Sequence, residues 1–178
     1  AMYPEYIKDG QYWRLLTAMF MHFGLMHILN NMVVLGAVGQ IVEKAMGHVK
    51  LLITFLVSGI CGSVLSYIVM LYNNDFAVSA GGPRGGFFFG GGGFAVSAGA
   101  SGAIFGLVGA LVWIVIANRG FYEGISRQQA VFMVILMIYY GVSTQGVDNW
   151  AHGGGLAGGF VISIVLYRKK RYNKYNIN

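Results

Sequence analysis

The chain has 178 residues and a formal net charge of +6, yet charged side chains make up only 10% of it and AVILMFWYC residues 56%. A soluble domain carries roughly 25% charged residues, so this composition excludes an ordinary water-soluble globule. The lone cysteine, Cys61, excludes a disulfide framework and a cysteine zinc cluster.

Charge-free or nearly charge-free runs occur at 28–42, 51–72, 94–118, 128–147 and 149–167. Crossing ~30 Å of hydrocarbon takes about 20 helical residues. The expected fold is therefore all-α, a polytopic membrane helical bundle with five spans. Read in chain order, residues 1–24 form an outer interfacial segment rather than a cleavable signal peptide. Tyr3, Tyr6, Tyr12 and Trp13 would sit there at headgroup level beside Lys8, Asp9 and Arg14. The transmembrane core is expected over 25–168, its first helix covering about 25–43, with turns near 43–48, 73–76, 118–129 and 143–149. A basic tail follows at 169–178.

Basic residues set the orientation, since Lys and Arg are enriched in cytoplasmic loops. Lys44, Lys50, Arg119, Arg127, Arg168, Lys169, Lys170, Arg171 and Lys174 collect on one side, and Lys8, Arg14 and Arg84 on the other. The C-terminus is expected inside, in a protein of the plasma membrane. The polybasic run after the last span reads as a topology anchor that meets anionic lipid, with no nucleic acid implied.

The first span opens on "HFGLMHILNN". His27 and Asn31 are four apart and share a helical face, whereas His22 and His27 are five apart and do not. The spacing is not that of H-E-x-x-H, and no zinc site is expected. A neutral histidine and an asparagine amide are both donors and could complete an oxyanion hole; His22 reads as an interfacial residue reaching water. Further on, "FAVSAG" occurs at 76–81 and again at 94–99, with a mostly glycine stretch at 81–93. Excising 76–93 rejoins "NNDFAVSAGASG", so this segment reads as an insertion, a flexible outer loop.

Three serines share similar small-residue surroundings, Ser79, Ser97 and Ser101. Only Ser101 heads a helix with a glycine face, Gly102, Gly106 and Gly109, along which another helix can approach closely. The free N–H groups at a helix N-terminus can also stabilise an oxyanion. His152, in "AHGGGLAGG", lies at the outer end of the last span, and Gly155 with Gly159 gives that helix its own small face. Packed backbone to backbone, the two helices would bring Ser101 and His152 within hydrogen-bond reach. His152 would then act as general base to a serine nucleophile. Asp148 lies one turn before His152 but in a loop, so a dyad is expected, without metal or cofactor.

Trp13-Arg14, the H…H-x-x-x-N of His22, His27 and Asn31, the G-x-S-G from Gly99 to Gly102, and A-H-x-x-G-x-x-x-G from Ala151 to Gly159 together resemble the rhomboid intramembrane serine proteases. These motifs come in family order across nearly the whole chain. The resemblance implies a rhomboid-like bundle of six spans, of which five are present, the chain beginning in the loop after the first. It implies Ser101 as nucleophile, His152 as base, and His27, Asn31 and the Ser101 backbone N–H as oxyanion stabilisers. Phe105 takes the place of an aromatic residue packed on the histidine. The implied partners are single-span membrane proteins, cut near the outer membrane face at a small residue in a segment that unwinds easily. A non-catalytic relative that escorts membrane clients would usually lose the dyad. A channel or transporter would more often show several intramembrane charges or repeated helix groups.

Overall fold

In a computed structural model, residues 1–79, 97–144 and 147–169 are described. The chain forms α1 (Pro4–Lys8), α2 (Arg14–Thr17), a 3-10 turn (Ala18–Phe20), α3 (Leu25–Met46) and α4 (His48–Ser79), then α5 (Ser101–Ala117), a hairpin of β1 (Phe121–Tyr122) and β2 (Ile125–Ser126), α6 (Arg127–Ser143) and α7 (Asn149–Leu166).

α5 is the axis of the bundle. Every residue from Gly102 to Leu111 is buried, and its lower half meets Val38 and Val42 of α3 and Ala130 of α6 in one apolar cluster. The peripheral helices turn large apolar side chains outward instead: Val33 on α3, Val49 on α4, Val142 on α6 and Val165 on α7 are all more than half exposed. That distribution suits a hydrocarbon solvent. α3 and residues His48–Tyr72 of α4 are each long and apolar enough to cross a membrane, and α5 is a shorter apolar helix.

Several boundaries depart from the sequence expectation. The first span runs on to Met46, where Gly47 at φ +84° ends it in the left-handed region that favours glycine. α4 does not turn at 73–76. It continues through the first copy of "FAVS" to Ser79, because no glycine or proline interrupts the chain between Ser63 and Ser79. The insertion read at 76–93 therefore begins inside a helix, and its glycine-rich remainder lies outside the described residues, as does the tail beyond Lys169.

The run 94–118 is not helical throughout. Ser97 pairs in antiparallel fashion with Met2, its carbonyl accepting from Met2 N–H at 2.8 Å, and Gly99, at φ +135°, donates to the Ala18 carbonyl at 3.0 Å. α5 starts only at Ser101. The expected turn at 118–129 contains the β1–β2 hairpin, an exception to an all-α reading. Glu123 and Gly124, both at positive φ, form its two-residue loop, the conformation that matches strand twist. Ser126 then caps α6 in a reciprocal box with Gln129.

Candidate active site

α5 and α7 meet through their glycines. A Cβ placed on Gly155 would overlap the Gly102 carbonyl, and one on Gly159 would overlap the Gly106 carbonyl. Gly102 and Gly109 in turn lie against the Ala151 and Leu156 carbonyls. On its other side α7 sets Gly154 and Gly158 against Cys61 of α4. Backbone-to-backbone contact of this kind maximises van der Waals packing and leaves no side chain to rearrange.

That packing fixes two positions. Ser101 is the first residue of α5, His152 lies in the first turn of α7, and His152 Nε2 stands 2.9 Å from Ser101 Oγ. The Phe105 ring stacks on the imidazole at 3.9 Å between centroids, 12° from parallel. His152 is buried, and its Nδ1 has no hydrogen-bond partner among the described residues. Asp148 does not supply one. It sits at the N-cap of α7 rather than in a free loop, accepts from Ala151 N–H at 2.9 Å, and pairs with the Ser66 hydroxyl of α4.

The loss of this cap is expected to matter. Asp148→Ala removes the acceptor for Ala151 N–H and the tie to α4, and should cost about 0.5–2 kcal/mol. A lowered thermal midpoint in detergent, with most of the loss recovered in Asp148→Asn, checks this; an unchanged midpoint for Asp148→Ala would contradict it.

Ser101 and His152 open onto a cavity of about 570 Å³, walled also by His27, Ser97, Gly99, Ile104 and Phe105 and by Met137 and Tyr140 of α6. The His27 ring packs against Gly99, whose backbone leaves no room for a Cβ there. His22 departs from the spacing argument. The backbone is extended at Gly24, so His22 precedes the helix, and its ring meets His27 edge to face at 5.0 Å. Its Nε2 is buried, with no hydrogen-bond partner among the described residues, rather than reaching water. Asn31 does not line the cavity; it is buried, and its Nδ2 has no hydrogen-bond partner among the described residues.

Trp13 and Arg14 stand apart from the site. Trp13 is exposed, whereas Arg14 knits the N-terminal segment, donating to Gln11 and the Ala1 carbonyl and lying over the Tyr6 ring at 4.6 Å. Two contributors went unread in the sequence. Asn149 Nδ2 donates to the Gly141 carbonyl at 3.2 Å, and a Cβ on Gly141 would press on Asn149 and on the edge of His152. A glycine within the helical part of the apolar run 128–147 was the available signal.

Within a helical bundle, the central helix thus presents a serine to a buried histidine at a cavity. The Rhomboid domain family model matches residues 9–169, and the chain belongs to that family. It is therefore part of an integral membrane protein. It is similar to rhomboid protease GluP of Bacillus subtilis (strain 168), 32% identical over 90% of this chain and 27% of the relative. It is also similar to two Arabidopsis thaliana proteins. RHOMBOID-like protein 7 is 36% identical over 90% of this chain and 44% of the relative, and RHOMBOID-like protein 5 is 31% identical over 99% and 51%. The chain thus spans between about a quarter and about half the length of these relatives.

Proposed function

We propose that this chain is the proteolytic core of an intramembrane serine endopeptidase that cuts single-span membrane proteins near the outer membrane face. The carrying observation is the 2.9 Å approach of His152 Nε2 to Ser101 Oγ at a cavity within a helical bundle. In the reaction, His152 Nε2 takes the Ser101 proton as Oγ attacks the substrate carbonyl carbon. The peptide C–N bond then breaks, the leaving amine takes the proton from His152, and an acyl-Ser101 ester remains. Water, deprotonated by the same nitrogen, attacks the ester carbon; the C–Oγ bond breaks, the acid product leaves, and His152 returns the proton to Oγ.

The oxyanion formed at each attack lies next to the start of α5, where first-turn N–H groups lack intrahelical acceptors. The Ser101 N–H, His27 and the Asn31 amide are the donors proposed for it. Phe105 holds the imidazole plane by stacking, and Gly99 lets His27 approach. In the same reading all five long helices cross the bilayer, the tail lies in the cytoplasm, and the apolar outer faces meet plasma-membrane lipid.

Cleavage of a single-span substrate with alanine at the cut position, by the protein in liposomes, tests the proposal. Specific cleavage is expected, and none at any protein concentration would refute it. Asn31→Ala should lower kcat by about 10²–10³ with little change in thermal stability, the scale for one lost oxyanion donor. An unchanged kcat would make Asn31 a packing residue.

A further inference from the structure

Four residues of α3, Met26, His27, Asn30 and Val34, follow one another at helical spacing into the cavity wall. Asn30 is the odd member. It is exposed, and its side chain has no hydrogen-bond partner among the described residues. Three other polar groups of that wall are engaged: Ser101 and His152 with each other, Asp148 with Ala151 N–H and Ser66. The same cavity is also lined by apolar side chains, among them Ile104 of α5 and Leu136 and Met137 of α6. A polar side chain at membrane depth is costly unless something uses it.

The ligand has a matching problem. A peptide bond can be attacked only where the substrate helix has unwound, and unwinding frees backbone N–H and C=O groups inside a water-poor site. Each such group left unpaired costs several kcal/mol. A carboxamide carries two donors on nitrogen and an acceptor oxygen. It can donate to a main-chain carbonyl and accept from a main-chain N–H, as a neighbouring strand would.

We propose that Asn30 is a substrate-binding residue that pairs with the main chain of the unwound peptide segment beside the cleaved bond. This rests on the protease reading for its substrate. It assigns Asn30 a role separate from that of Asn31, which is turned about 100° away on the same helix and faces the interior. Because the contact is to backbone, it selects for an extended, unwound segment rather than for a side chain.

The test uses the whole chain in liposomes. Asn30→Leu, close in volume but without the amide, should raise KM for a single-span substrate about tenfold while kcat stays within about twofold, the pattern of lost uniform binding. Asn30→Gln should recover part of the loss. A merely structural Asn30 would instead lower the thermal midpoint and shift both constants together, and that overturns the proposal, as does an unchanged KM. Asn30→Ala serves the same comparison should Asn30→Leu fail to fold.

A second arm is independent of catalysis. A fluorophore-labelled peptide covering the outer, alanine-containing juxtamembrane segment of the single-span test substrate is titrated against Ser101→Ala protein, with single ester replacements for successive peptide bonds. One ester should weaken binding by about fivefold or more with Asn30 present and make no difference in the Asn30→Leu background. Equal ester effects in both backgrounds would overturn the assignment. Should the unaltered protein cleave nothing, the protease reading fails on the first arm while this arm still decides on Asn30.

Discussion

Ser101→Ala and His152→Ala should each lower cleavage of a single-span substrate by about 10⁶-fold, the scale found when the nucleophile or base of a serine protease is removed. The two losses should not add. In the proposed dyad each residue acts only through the other, across the 2.9 Å contact between Oγ and Nε2, so the double variant should be no slower than either single one. Ser97→Ala is the matched control. Ser97 also lines the cavity, but what it contributes to the fold is a backbone bridge to Met2, which alanine keeps. Cleavage surviving in Ser101→Ala, or lost in Ser97→Ala, would place the nucleophile elsewhere.

The second large effect is expected at the α5–α7 contact. Gly155→Ala and Gly159→Ala each put a methyl group where a carbonyl of α5 already stands, at Gly102 and Gly106. Overpacking typically costs about 1–3 kcal/mol, and here neither backbone can yield without parting the helices that hold Ser101 and His152. A fall in thermal midpoint accompanied by a steep loss of cleavage is expected. Gly153→Ala, on the same helix with nothing within 4 Å of the new Cβ, is the internal comparison. It should be neutral or stabilising by up to about 1 kcal/mol, as alanine is the better helix former. If all three variants behaved alike, helix propensity rather than the close contact would govern this interface.

The parts of this architecture that could be read from the sequence are those written in local spacing. Glycines at 102, 106 and 109 and at 155 and 159 recur at helical intervals, which is enough to say that two helices can touch and that residues at their outer ends can meet. The parts that could not be read depend on partners distant in sequence. Ser97 looks like the start of a span until Met2 pairs with it, and the α5 boundary at Ser101 follows from that bridge and from Gly99. The His22–His27 contact escaped because a face argument assumes one helix through both, and the extended backbone at Gly24 removes that premise.

Other features carried local signals that went unused. An aspartate directly before an apolar glycine-faced helix is an N-cap signature, which Asp148 fulfils. Glu123-Gly124 between "FY" and "IS" fits a two-residue hairpin loop. Asn30 and Asn31 cannot be told apart by composition. Only the rotation of α3 turns one into the cavity and the other into the interior.

The central claim is that Ser101 is a nucleophile activated by His152, and covalent capture tests it without a known substrate. The liposome-embedded protein is treated with a fluorophosphonate, digested, and read by mass spectrometry for the modified residue. The account predicts a single adduct on Ser101 that forms in the unaltered protein and is lost in His152→Ala. An adduct on another serine, labelling of Ser101 that persists at the same rate without His152, or no adduct on folded protein would contradict it.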